Sequence, residues 1–145
     1  MIPENDERST SRLLETILKD HLYNTMNCGK VLGELFLNLE QPEQYISEVK
    51  RLEEQGDKLT AEAYANLESA DYSEVVYITE QLIKRFDDIV DGMNDTARLI
   101  DICHPRQIES AAHEILSALV AMTEKLQTEI ARYPNIDPAS IRACC

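Results

Sequence analysis

The sequence has little of what β-structure, membrane spans or disulfide-rich folds require. Its 145 residues include four glycines, five prolines and no tryptophan, and no Asn-Gly or Asp-Gly turn separates alternating apolar runs. No apolar run approaches the roughly 20 residues that a membrane-spanning helix needs. The opening MIPENDERSTSR is too polar for a signal peptide, and the four cysteines form neither a C-x-x-C motif nor a disulfide framework. These absences predict a cytoplasmic protein with reduced thiols and no membrane insertion.

Basic residues are also scarce. Lys and Arg number 14 against 27 Asp and Glu, which gives a net charge of −13. Nucleic acids and anionic membranes would be repelled, because no basic patch offsets this charge. Cations and basic partners are favoured instead. The 43% of hydrophobic residues is enough to build a folded core.

The apolar residues that are present recur with the helical period along the whole chain. They predict an all-α fold, an antiparallel bundle of about four long helices. These helices are expected from Ser9–Ser11 to about Leu39, from Pro42 to about residue 68, from Asp71 or Ser73 to about residue 103, and over about 108–130. Asp137 and Pro138 form a cap and first-turn pair that would start a short fifth helix. We therefore expect a flexible N-terminus over residues 1–8, a bundle over 9–135, and a short C-terminal segment, a truncated helix, over 136–145.

All four glycines fall inside predicted helices, where each costs about 1 kcal/mol relative to alanine. Gly56 lies beside Leu52 on the apolar stripe of the second helix, and Gly29 and Gly33 share one flank of the first. Close approach of a neighbouring helix would explain these positions. Simple tolerance of weak helix formers is the alternative.

Acidic residues collect on two of the predicted helices. The stretch from Glu53 to Asp101 holds 13 acids against 4 basic residues. Each helix carries an acid, three residues and an aspartate, a spacing that stacks two carboxylates about 5–6 Å apart on one face. Such pairs can bind hard cations, which prefer oxygen ligands. The candidate ligands are Glu53 and Asp57 on the second helix and Asp87 and Asp91 on the third, with Glu54, Asp88 and Asp95 as possible helpers.

A solvated acidic face that binds no ion is the alternative interpretation of these carboxylates. Other chemistry finds less support in the sequence. Neither a Glu-x-x-His pair for a di-iron centre nor a glycine-rich phosphate loop is present, and no nucleophile set can be specified. The prediction is therefore a protein without catalytic activity.

Two short motifs carry a family resemblance. VKRLEEQGDKLT contains an E-x-x-G-D pattern at Glu53, Gly56 and Asp57, and LIKRFDDIVDGMNDTARLI contains D-D-I-x-D from Asp87 to Asp91. With these motifs, residues 10 to 135 resemble the PhoU-like phosphate transport regulators. The similar branch is the one encoded beside low-affinity phosphate permeases.

The resemblance implies a fold, a cofactor and a partner. Relatives are all-helical, built from two three-helix bundles, and bind iron, zinc or other divalent cations such as manganese or magnesium through surface E-x-x-x-D motifs. The resemblance assigns this role to Glu53, Asp57, Asp87 and Asp91. It also implies regulation without catalysis, through contact with a phosphate permease or a phosphate-sensing protein.

The chain departs from the family pattern in two places. SADYSEVVYIT stands where this branch usually has a TPFDRED-like stretch, and the chain stops at the predicted fifth helix instead of continuing through a second half. A homo-oligomer is one way to supply the missing helices. The sequence thus predicts a non-enzymatic, metal-binding regulator of inorganic phosphate transport. The alternative is a helical interaction module whose acidic face binds basic partners without metal.

Overall fold

The computed structural model describes the backbone of residues 4–144 and the side chains of residues 9–144. All regular structure in this part of the chain is helical, which confirms the predicted all-α bundle of four long helices and a short fifth. The helices are α1 (Glu4–Leu37), α2 (Glu43–Leu67), α3 (Glu74–Cys103), α4 (Ser110–Ile130) and α5 (Pro138–Cys144). Residues 1–3 of the expected flexible N-terminus, and Cys145, lie outside the described residues. None of the described helices combines the length and apolar character needed to cross a membrane.

The helix ends follow from local capping. Ser73 accepts a hydrogen bond from the Val76 amide at 3.1 Å and starts α3, as predicted. His104 adopts a left-handed conformation with φ of 45° and ends α3, and Asp137 accepts from the Ala139 amide at 3.0 Å at the start of α5. Helix α1 begins at Glu4, earlier than expected. Its first turns contain only polar residues, so the apolar periodicity used to predict the helix could not reveal its start.

Helix α1 is the central element of the bundle. It packs against α2, α3 and α4, while α2 also packs against α3, and α5 packs on α4. A Cβ on Gly29 would lie 2.9 Å from Val120 Cγ2 of α4, and a Cβ on Gly33 would lie 3.8 Å from Leu116. Gly29 therefore allows α4 to approach α1 closely, as the sequence predicted, whereas a Cβ on Gly33 would make only an ordinary van der Waals contact.

The core consists of two apolar clusters stacked along the bundle. One surrounds Leu18 and Phe86, and the other surrounds Leu35 and Val90. Buried polar side chains of α1 lie at the junction of the clusters: His21, Asn24 and Thr25. Buried polar groups destabilise the fold unless they are hydrogen-bonded, so these three side chains need hydrogen-bond partners.

One apolar flank of α4 is only partly covered by the described helices. Ile115, which the helical period over 108–130 places on the apolar stripe of this helix, is 69% exposed. Ile115 lines an open groove between α3 and α4 together with Ile89 and Gly92, and it stays exposed because α3 packs less closely against α4 than α1 does.

Candidate metal centre

The candidate site lies along the seam between α2 and α3. On α2, Glu53, Asp57 and Thr60 follow one another at helical spacing on the side that faces α3. The two helices run in opposite directions, because Thr60 contacts Asp87 while Glu53 interacts with Asn94, seven residues later on α3. Two helical stripes therefore meet side by side, in register.

Three carboxylates converge at the centre of this seam. Glu53, Asp57 and Asp91 each offer an oxygen, and these three oxygens all lie within 4.8 Å of one another. A cation can therefore be placed within about 2.8 Å of all three, close to the 2.0–2.6 Å at which divalent cations bind oxygen. Small side-chain adjustments would bring the three oxygens to bonding distance, and water would supply the remaining ligands. Glu53, Asp57 and Asp91 are referred to below as the acid triad.

The electrostatics of the acid triad favour the uptake of positive charge. Partial burial raises the pKa of Glu53, and the neighbouring Asp57 and Asp91 raise it further, while a hydrogen-bonding contribution from Asn94 lowers it. Burial likewise raises the pKa of Asp91, followed by the charges of Asp87, Asp57, Asp88 and Asp95. Each shift reports an environment in which an additional negative charge is unfavourable. A bound cation would reverse that penalty.

Asp87, the fourth predicted ligand, is placed differently from the other three. It lies beside the acid triad but outside the group of converging oxygens. Its Oδ1 accepts a hydrogen bond of 2.8 Å from the Thr60 hydroxyl, across the seam. Among the charges that act on Asp91, that of Asp87 is the largest. Asp87 is therefore a close neighbour of the triad that is held by a partner of its own.

The three predicted helper residues pair with basic side chains on their own helices. Glu54 lies 3.9 Å from Lys50 Nζ on α2. On α3, Asp88 lies 3.4 Å from Arg85 and Asp95 lies 3.6 Å from Arg98. All of these pairs are exposed, and such pairs contribute little to stability. The structure therefore does not bring these helpers into the acid triad.

The polar residues beneath the seam were not predicted as parts of the site. A Cβ on Gly56 would lie 3.4 Å from Asn24 Nδ2 and 3.6 Å from His21 Cε1, so both side chains of α1 lie against the glycine at van der Waals distance. The Asn24 amide donates to the Leu52 carbonyl at 2.8 Å. A sequence signal that could have revealed these residues is the presence of polar side chains on the apolar stripe of α1, opposite the glycine of the E-x-x-G-D motif.

Cys28 lies under the same seam and is not a reactive thiol. It is fully buried, and burial, with smaller contributions from Glu53 and Glu48, raises its pKa to about 12. A thiol with so high a pKa is neither a ready nucleophile nor a ready ligand at neutral pH. The donor set of the site therefore consists of oxygen atoms.

In comparisons with known proteins, the chain matches no protein-family model, no curated protein and no solved structure. The resemblance to PhoU-like regulators therefore rests on the two acidic motifs and their spacing.

Proposed function

We propose that the protein is a non-enzymatic regulator that binds a divalent cation at the acid triad. The observation that carries this proposal is the convergence of the Glu53, Asp57 and Asp91 oxygens within 4.8 Å. An all-oxygen donor set favours manganese, magnesium or ferrous iron over zinc, whose protein sites are dominated by nitrogen and sulfur ligands. The triad lies on the surface of the bundle, where a bound cation would change the charge that a partner meets.

The proposed setting is the regulation of inorganic phosphate transport, through contact with a phosphate permease or a phosphate-sensing protein. It is supported by the resemblance of the two acidic motifs to PhoU-like regulators. In this mechanism the rigid bundle docks, and the cation determines whether its acidic face repels or bridges the partner. Phosphate uptake by cells that make the protein, compared with cells that lack it, would test this part. Equal uptake in both would contradict the setting and leave the cation site to be judged separately.

Cation binding is tested by removing and restoring metal. The protein is dialysed against chelator and then melted with and without Mn²⁺. At a Mn²⁺ concentration 100 times the dissociation constant, binding to the native state adds about 2.7 kcal/mol to the free energy of unfolding. At roughly 2–4 °C per kcal/mol for a chain of this size, the melting temperature should rise by several degrees.

The chain offers a matched pair of double variants for this test. Asp57→Asn with Asp91→Asn removes one triad acid from each helix and should abolish the Mn²⁺-dependent rise. Glu54→Gln with Asp95→Asn also removes one acid from each helix, but both of these acids pair with basic neighbours. This control should respond to Mn²⁺ like the unaltered protein. The absence of any Mn²⁺ effect on the unaltered protein would contradict the cation site.

A second candidate function is a metal-free interaction module for basic partners. The net charge of −13 and the exposed acids of α3 favour it. In that case the Asp57→Asn and Asp91→Asn pair should raise stability equally with and without Mn²⁺, because it would only relieve repulsion.

A further inference from the structure

A chain of hydrogen bonds runs from the core to the edge of the acid triad. His21 on α1 is fully buried, and its Nε2 lies 2.9 Å from Thr60 Oγ1 on α2. The Thr60 hydroxyl in turn donates to Asp87 Oδ1 on α3 at 2.8 Å. Three helices are thereby linked through one threonine side chain.

The chemistry of the three groups determines where the protons are. A threonine hydroxyl has a single proton, and an ionised carboxylate can only accept. Because Thr60 gives its proton to Asp87, its oxygen must accept from His21, so the histidine carries its proton on Nε2. The structure agrees at the other ring nitrogen, since His21 Nδ1 is buried without a hydrogen-bond partner among the described residues. Burial also lowers the pKa of His21, which favours the neutral ring.

His21 occupies a buried position where an apolar side chain would avoid the cost of burying polar nitrogen atoms. It lies at the junction of the two apolar clusters, with its ring centroid 5.8 Å from that of Phe86. A buried polar side chain with an unsatisfied nitrogen is costly in such surroundings. The hydrogen bond to Thr60 is an interaction that an apolar side chain at this position could not make.

We propose that His21 and Thr60 are positioning residues that hold Asp87 beside the acid triad as the fourth carboxylate of the cation site. This inference rests on the proposed cation binding and adds to it the residues that organise the site. Asp87 and Asp91 stand one helical turn apart and repel each other. The Thr60 hydroxyl opposes that repulsion by fixing Asp87 Oδ1, which leaves Oδ2 for the cation. Hydrogen bonds from such outer residues orient ligands, and their loss typically weakens metal affinity 10- to 100-fold.

The direct test is the Mn²⁺ affinity of Thr60→Val, which keeps the shape of the side chain and removes its hydroxyl. We expect its dissociation constant to rise about 10- to 100-fold. Thr79→Val is the control for the loss of a helix threonine hydroxyl, because Thr79 is fully buried, whereas Thr60 is half-buried, and the Thr79 hydroxyl donates to the Val75 carbonyl of its own helix at 2.7 Å. The control should bind Mn²⁺ with unchanged affinity. Equal affinity in Thr60→Val and the unaltered protein would overturn the positioning role.

Two variants of His21 separate positioning from packing. His21→Gln retains an N–H donor and should keep most of the affinity, whereas His21→Phe fills the space without a donor and should lose it. Circular dichroism establishes that each variant is folded before its affinity is compared. Similar Mn²⁺ affinities in folded Gln and Phe variants would show that the donor does not matter, and the inference would fail.

Nitrogen NMR of His21 tests the hydrogen-bond chain independently of metal. In the cation-free protein we expect a neutral ring with its proton on Nε2, and addition of Mg²⁺ should shift that resonance although the ring has no access to solvent. Thr60→Val should remove this response. A proton found on Nδ1 alone would overturn the chain. Failure of the unaltered protein to bind Mn²⁺ and Mg²⁺ would overturn both proposals, whereas binding that is insensitive to Thr60→Val overturns only this one.

Discussion

The seam between α1 and α4 and the seam between α2 and α3 are both contacts between two helices, but the first is apolar and the second is acidic. At the first, Gly29 lets apolar side chains of α4 approach the α1 backbone. At the second, polar side chains of α1 lie against Gly56, and carboxylates converge above it. The first seam follows the rules for stability throughout. The second departs from these rules in charge and in buried polarity, and such departures are expected at functional or strained sites.

The two seams also differ in whether the chain itself satisfies the groups that line them. The α1–α4 seam is complete within the chain, since Val120 and Leu116 occupy the space above the two glycines. The α2–α3 seam has raised carboxyl pKa values, and beneath it lies an imidazole nitrogen with no hydrogen-bond partner among the described residues. A bound cation would remove the first of these unfavourable features. The two seams should therefore respond differently to substitution and to metal.

The largest effect should come from filling the α1–α4 seam. Gly29→Val would bring side-chain atoms onto Val120 and Met93, from which even a Cβ would stand only 2.9 and 3.3 Å away. Overpacking of this kind costs about 1–3 kcal/mol, and the two γ-carbons place the change near 3 kcal/mol. Urea denaturation would measure the loss. A variant as stable as the unaltered protein would show that α4 is not held closely against α1.

A smaller effect of opposite sign is expected at the one glycine without neighbours. A Cβ on Gly92 would meet no atom within 4 Å, and its helix has no positive φ at this position. Gly92→Ala should therefore stabilise the protein by about 0.5–1 kcal/mol through helix propensity alone. The same denaturation experiment measures it. A loss of stability would indicate that the backbone at Gly92 is approached by something that the isolated chain does not show.

The α2–α3 seam should become more stable when one of its charges is removed. In the absence of divalent cations, Asp91→Asn relieves the repulsion from Asp87 and Asp57, and we expect a gain of about 0.5 kcal/mol. Asp95→Asn is the control, because it also gives up an ion pair with Arg98. Its effect should be close to zero. Thermal or urea unfolding in chelator measures both variants, and a clear loss of stability in Asp91→Asn would contradict the account.

The smallest effect is the pH dependence of the stability that Asp91→Asn adds. The native pKa of Asp91 is raised above its ordinary value of 3.8, so native Asp91 takes up a proton at a higher pH than the unfolded chain does. Its unfavourable contribution at pH 7 is therefore relieved as the pH falls through the native pKa. The gain from Asp91→Asn should shrink by a few tenths of a kcal/mol as the pH approaches 4.

Buried His21 does not obscure this comparison. Burial lowers its pKa below 6.5, so protonation of the unfolded chain weakens the unaltered protein and the variant alike as the pH falls. The difference between the two unfolding free energies at each pH isolates Asp91. A gain that stays constant from pH 7 to pH 4 would contradict the raised pKa.

The helices could be predicted because their signals are local. Ser73 caps α3 at one of the two starts expected for that helix, Asp137 caps α5 as expected, and the glycines of α1 lie against α4 as their shared flank indicated. Each of these conclusions needs only the neighbouring residues and the helical period. The exposure of Ile115 was not predictable in this way, because it depends on which helices pack against α4.

The site could be predicted in part, for the same reason. The spacing of Glu53 and Asp57 shows that they share a face, but the register of α2 against α3 decides which α3 carboxylate meets them. That register brings Asp91 to the pair and places Asp87 against Thr60. The roles of Thr60 and His21 depend on three helices meeting at one point, which no single helical period contains.

The central claim is that Glu53, Asp57 and Asp91 hold one divalent cation between α2 and α3. Electron paramagnetic resonance of Mn²⁺ measures this directly, because the sharp signal of free Mn²⁺ falls when the ion is bound. We expect the unaltered protein and the Glu54→Gln, Asp95→Asn control to remove the signal in a saturable titration, and the Asp57→Asn, Asp91→Asn variant to leave it unchanged. A free Mn²⁺ signal that all three proteins reduce equally, or not at all, would contradict the claim.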